Sequence, residues 1–200
     1  LIDVKEKIEN SANTLEDECD DFDTKKLLCS PNFYKLLFSD LLALMPGLLI
    51  IGLAKDIGTE YIGILDSDLI TAAALVGYLA IFNAGGRLVS GRLADKFGAL
   101  NVYRTMYFVT IISLFFLSFV QVKPVAIVAL LFISIGYGSF LSLVPTITGK
   151  LFGSKYFSAN YSLIFQAYGA AALLGIYIKK NVTFDQAFTI AMVTAAAGLI

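Results

Sequence analysis

The chain has 200 residues, 58% of them hydrophobic and 16% charged, with 15 Lys and Arg against 16 Asp and Glu and no histidine. That balance belongs to membrane proteins rather than soluble domains, and the scattered basic residues give no footing for nucleic acid. The missing histidines remove Ser-His and Cys-His catalysis and most metal sites, while Cys19 and Cys29 fit neither a disulfide framework nor a zinc spacing.

Residues 1–32 read as an acidic cytoplasmic linker. Glu16, Asp17, Glu18, Asp20, Asp21 and Asp23 crowd one short stretch, which cannot bury enough apolar surface to fold by itself. The chain begins at Leu1 rather than Met, ends inside an apolar run and shows no signal peptide. It is expected to be a piece of a longer polypeptide.

From Phe33 onward the pattern changes. About twenty apolar residues cross a bilayer core of roughly 30 Å, and such segments fall at about 33–54, 69–93, 102–120, 125–150 and 161–178, with a sixth beginning at 186 and running to 200. The links between them are short and polar, which implies an up-and-down order. Ten basic residues, among them Lys25, Arg92, Lys96, Arg104, Lys150 and Lys155, lie on one side of these spans. Four (Lys55, Lys123, Lys179 and Lys180) lie on the other, so the positive-inside rule puts residues 1–32 in the cytoplasm. Asn181-Val182-Thr183 has the form of a glycosylation sequon on the outer side, close to the membrane.

Two blocks are more specific. The first runs from Asn83 to Asn101, and its Gly91, Asp95, Lys96 and Gly98 resemble the cytoplasmic loop motif G-x-x-x-D-[RK]-x-G of major facilitator transporters. The second runs from Gly136 to Gly175. Its Pro145, Phe152, Gly153, Lys155, Asn160, Tyr161, Ala167, Gly169 and Gly175 resemble the tenth and eleventh helices of the oxalate/formate antiporter family, a branch of the same superfamily. Ser162 stands where glycine is common, and Ile176 stands where proline is usual. Oxalate-exchanging members resemble this chain with a lysine where Tyr168 stands, so oxalate specificity does not carry over.

The resemblance implies an all-α integral membrane protein. The six segments become helices seven to twelve of a twelve-helix transporter, a six-helix half-bundle whose last helix is cut short. It implies a multi-pass protein of the plasma membrane that moves small organic anions, mono- or dicarboxylates, by alternating access as an antiporter or proton symporter. The partners are the solute, the lipid bilayer and the missing N-terminal six-helix half of the same polypeptide. A non-transporting sensor or assembly partner on the same fold, and a facilitator for a neutral solute, are the alternatives. A membrane enzyme would need clustered Asp, His or Ser inside the spans. No catalytic constellation, phosphate-binding loop, cofactor or metal is expected.

Ionisable groups inside a span are costly and so draw attention. Arg87 lies about 9 Å inside the second span at 1.5 Å per residue, where it either clamps a substrate carboxylate, braces the cytoplasmic gate or snorkels. Asp40 reaches about the same depth on the first span. It is expected to pair with Arg87, to carry a coupling proton, or to be a plain interfacial aspartate. Tyr137, Ser139, Gln166 and Tyr168 sit near mid-membrane, either lining a cavity or bonding between helices. Gln166 and Tyr168 are two apart and cannot both face one cavity. Gly91 and Gly98 are expected to permit a tight turn, with Asp95 and Lys96 between them. Asp95 is expected to pair with Arg104 or Lys155 as a cytoplasmic latch, or else to be solvated. Gly85 and Gly86, Gly136 and Gly138, and Gly169 and Gly175 are expected to form small-residue faces, with Pro46-Gly47 and Pro145 as kinks.

Overall fold

The structure is a computed structural model that describes residues 21–65, 70–120 and 122–199. Most of the acidic stretch, the start of the second span at Leu69 and the final Ile200 lie outside the described residues. Among those residues every regular element is helical. A short helix α1 (Thr24–Cys29) precedes α2 (Pro31–Gly52), and a brief helical stretch Ala54–Asp56 and a π turn Ile57–Tyr61 extend α2. Then follow α3 (Ala72–Phe97), α4 (Ala99–Phe119), α5 (Lys123–Phe152), α6 (Phe157–Ile164), α7 (Gln166–Asn181) and α8 (Phe184–Gly198).

Local chemistry sets these boundaries. Asp23 caps α1, its carboxylate accepting from the Thr24 N–H at 2.6 Å. Pro31 opens α2, where a missing N–H costs nothing. Thr71 caps α3 by accepting the Ala74 N–H at 3.2 Å, and Thr183 with Gln186 forms a capping box at α8. Gly98 (φ 85°) and Gly153 (φ 79°) adopt the left-handed backbone that ends α3 and α5.

Several boundaries differ from the sequence expectation. The linker does not extend to residue 32, because α1 starts at Thr24 and α2 at Pro31. The second span continues through Phe97. Gly91 therefore lies within the helix, and the turn belongs to Gly98 alone. The fifth span is two helices, α6 and α7, meeting at Phe165. Five segments remain long and apolar enough to cross a membrane: Pro31–Gly52, Ala72–Phe97, Ala99–Phe119, Lys123–Phe152 and Phe157–Asn181. The 30 residues of α5 extend about 45 Å, more than the hydrocarbon core needs, so this helix tilts or projects.

α5 is the central helix. It packs on α3, α4 and α2, while α2 packs in turn on α7 and α8, and α8 on α4. Exchanging α2 with α5, α3 with α7 and α4 with α8 maps each of these principal pairs onto another, the pattern of an inverted repeat.

Lipid tails are as apolar as the side chains, so close approach and interhelical hydrogen bonds must hold such a bundle. Between α3 and α5 the backbones nearly touch. A Cβ at Gly86 would meet the Ile135 carbonyl, and one at Gly138 would meet the Asn83 carbonyl. Ser134 donates across this contact to the Leu79 carbonyl (2.6 Å) and Ser139 to that of Gly86 (3.2 Å), while Ser90 and Ser142 share a bond of 2.7 Å. Gly136 admits the Thr110 side chain of α4 in the same way. The other expected small-residue positions do not take part: Gly85 and Gly169 have nothing within 4 Å, and Gly175 only brushes Leu49 at 3.8 Å.

Adjacent glycines of α3 therefore differ sharply. Gly86→Ala is expected to destabilise the chain by about 1–3 kcal/mol through overpacking. Gly85→Ala should leave it unchanged or gain up to about 1 kcal/mol of helix propensity. Thermal unfolding of the two variants in one detergent checks this, and equal melting temperatures would refute the contact.

Candidate functional site

Asp40 projects from α2 into the bundle and is 2% exposed. Its Oδ1 has no hydrogen-bond partner, and the expected ion pair with Arg87 is absent. Arg87 instead lies on the exposed side of α3, where its Nε donates to the Asn83 side-chain oxygen at 3.2 Å. The two residues share a depth but not a face, and equal depth on neighbouring helices does not imply contact.

Arg87 has other company. Gly86 and Gly138 press α3 against α5, and Tyr137 precedes Gly138 in sequence as Arg87 follows Gly86. This register brings the guanidinium within electrostatic reach of the Tyr137 hydroxyl, which also neighbours the hydroxyl of Tyr168 on α7. The Tyr137 side chain is buried at 7% exposure, and it fits because Gly47 of α2 has no Cβ. A carbon placed there would lie 2.5–2.7 Å from three atoms of the tyrosine. Tyr168 is half-buried and stacks on Phe165 with centroids 5.2 Å apart and planes 5° from parallel. Three expected residues, Arg87, Tyr137 and Tyr168, thus connect through Tyr137, which lies within electrostatic reach of Arg87 and beside the Tyr168 hydroxyl.

Others do not. Ser139 is fully buried and donates to the Ile135 and Gly86 carbonyls, so it joins helices and lines no cavity. Gln166 is exposed and bonds the Ser162 carbonyl at 3.3 Å, across the α6–α7 break and not between separate spans. Asp95 is exposed and forms no ion pair with Arg104 or Lys155. Lys96 lies over the Phe97 ring at 5.2 Å and Lys155 over that of Tyr156 at 5.5 Å.

Two features were missed from sequence. Ser39 ties α2 to α4 and α8. Its hydroxyl lies 3.0 Å from the Gly198 carbonyl, 3.2 Å from the Tyr107 hydroxyl and 3.4 Å from that of Tyr103, while Tyr107 donates to the Ser39 carbonyl. The second is a clamp between the residues before α1 and the α5–α6 turn. The Phe22 N–H donates to the Phe152 carbonyl (3.0 Å), the Phe22 carbonyl accepts from buried Asn160 (2.8 Å), and Asp21 accepts the Lys155 backbone N–H (3.2 Å). The i, i+4 spacing of Asn83 and Arg87 was a usable local signal. No local pattern announces the Ser39 knot or the clamp.

Chemically, an exposed fork of guanidinium donors with a phenol in electrostatic reach suits an anion or a polyol. Among the described residues no group of three or more His, Cys, Asp or Glu gathers as metal ligands. A groove of about 510 Å³ between α4 and α5 is lined by residues such as Val109, Ile112, Phe116, Val128 and Phe132 and has no charged side chain. It belongs to the apolar outer surface.

Comparison with known proteins adds family evidence. The family model described as Major Facilitator Superfamily matches residues 5–176. The chain is 26% identical over 170 residues to the uncharacterized MFS-type transporter YhjX of Escherichia coli (strain K12), covering 84% of this chain and 41% of that protein. It is 26% identical over 184 residues to the oxalate:formate antiporter of Oxalobacter formigenes, covering 88% and 42%. It is also 31% identical over 104 residues to monocarboxylate transporter 14 of Mus musculus, covering 50% and 20%. The chain thus spans about two-fifths of the length of the first two relatives.

The fit of Tyr137 against Gly47 makes a paired expectation. Gly47→Ala is expected to cost about 1–3 kcal/mol with Tyr137 present and clearly less in a Tyr137→Ala background. A double-mutant cycle on thermal stability measures this coupling, and strict additivity would mean that the two residues do not touch.

Proposed function

Because the chain belongs to the major facilitator superfamily, whose model covers most of its length, we propose that it forms one wall of a pathway for small organic anions, mono- or dicarboxylates. The observation that carries this reading is the Arg87 guanidinium, exposed on α3, oriented by Asn83 and within electrostatic reach of Tyr137. A guanidinium binds a carboxylate through two parallel N–H bonds, and phenol hydroxyls extend the shell to a second oxygen. The relatives' names support the solute class, since two of them refer to oxalate, formate or monocarboxylates. Tyr168 supplies no second cation, which argues against a site built for oxalate.

One half does not enclose a solute. α3 and α7 leave apolar residues such as Ile81, Leu88, Leu173 and Tyr177 exposed. In this proposal those faces pack on an N-terminal six-helix half of the same polypeptide, and solute passes by rocking of one half against the other. Movement is driven by exchange or an ion gradient, with residues 1–32 cytoplasmic and the protein in the plasma membrane. No catalytic role is proposed. Gly91, Asp95, Lys96 and Gly98 with Arg104 and Lys155 remain the proposed cytoplasmic latch. Their solvent-exposed charges are free to engage in another state of the cycle.

In proteoliposomes holding the full-length polypeptide, saturable uptake of at least one labelled carboxylate is expected. Arg87→Gln should weaken its binding by about 2–5 kcal/mol without lowering thermal stability, and Arg87→Lys should retain part of it. Undiminished uptake in Arg87→Gln would remove the anion reading.

A further inference from the structure

Asp40 is a carboxyl buried inside the helical bundle, with an oxygen that no group satisfies. The groups close enough to sense its charge are Tyr103 and Tyr107 from α4, Tyr137 from α5 and Tyr161 from α6, all phenols. The basic residues of the surrounding helices are engaged or placed elsewhere. Lys35 on α2, Arg92 and Lys96 on α3 and Arg104 on α4 are exposed, and Arg87 on α3 holds Asn83. Lys123 and Lys150 mark the two ends of α5. On α7, Lys179 pairs with Asp56 at 3.2 Å and Lys180 follows it at the outer end, while the charged residue of α8 is Asp185 in its first turn. An ionised carboxylate here would bear its desolvation cost, several kcal/mol for a buried ion, with no cation to offset it.

We propose that Asp40 is a proton-binding site, and that its ionisation loosens the tie between α2, α4 and α8. The site takes up a proton from water, converting the carboxylate to a neutral carboxyl whose burial costs far less. The adjacent residue, Ser39, is the point at which α2 is bonded to Tyr103, Tyr107 and the Gly198 carbonyl. A newly ionised Asp40 needs hydrogen-bond donors, and two of the four phenols that sense its charge are now spent on Ser39. Deprotonation draws them away and frees α2 from α4 and α8; reprotonation restores the knot. The role of this switch in solute movement rests on the transporter reading above, whereas the proton site and its effect on packing do not.

The test uses the full-length polypeptide in lipid bilayers with isotope-labelled aspartate, and neither readout needs a solute. Infrared spectroscopy is expected to show a protonated-carboxyl band at neutral pH that is lost in Asp40→Asn and retained, shifted, in Asp40→Glu. Hydrogen–deuterium exchange around residues 103–107, corrected for the intrinsic pH dependence, is expected to speed up as the band disappears at high pH. In Asp40→Asn it should stay flat. No such band in the parent, a band unchanged in Asp40→Asn, or the same pH response in both would overturn the proposal. Failure of carboxylate uptake would overturn only the anion reading. If Asp40→Asn does not fold, the shifted band of Asp40→Glu still decides the assignment.

Discussion

The bundle depends on one backbone contact, the approach of α3 to α5 at Gly86 and Gly138. Each glycine places its Cα where a side chain would strike the opposing helix's carbonyl, at Ile135 and at Asn83. In water such an interface would be held by burying apolar surface; in lipid that drive is largely absent, and dispersion at short range with hydrogen bonds must substitute. The serines supply the bonds, Ser134 and Ser139 crossing to α3 carbonyls that already belong to its helical ladder. Once α3 is seated, α5 is fixed as the central helix on which α4 and α2 also pack.

That contact also fixes the chemistry. Arg87 follows Gly86 and Tyr137 precedes Gly138, so the register that permits the approach brings guanidinium and phenol together. A third glycine, Gly47, admits the Tyr137 ring from the side of α2. Packing and recognition are therefore not separable here. Any change that shifts α3 along α5 moves the arginine relative to its partners by the same amount.

The two ends of the bundle are held differently. At one end, Asp21 and Phe22 stitch the chain before α1 onto the α5–α6 turn, with a Phe22–Phe152 edge contact at 5.5 Å. At the opposite end, Lys179 and Asp56 join α7 to the extension of α2 through an exposed ion pair, a type worth at most about 1 kcal/mol. Hydrogen bonds to Phe152 and buried Asn160 anchor the first end, while at the second the Tyr61 hydroxyl also donates to the Leu117 carbonyl at 3.2 Å.

Much of this protein was legible in its residues. Apolar length gave the spans and their order, and the loop and helix motifs gave the superfamily. Arg87 and Asp40 stood out because charge inside a span is rare. The sequence could not say which neighbour each side chain meets. Gly85 and Gly86 look alike on paper, yet one faces open space and the other a carbonyl. Asp40 and Arg87 match in depth, yet one is buried and the other exposed. For Ser139 the sequence left open a cavity lining or a bond between helices, and it is the bond. The physical reason is the solvent: where lipid and core are both apolar, hydrophobic periodicity marks a membrane span but no longer distinguishes its inner face from its outer one. Composition alone determined that the chain crosses a membrane; only the packing of the helices decided which polar groups are enclosed, which glycines carry contact and where the arginine points.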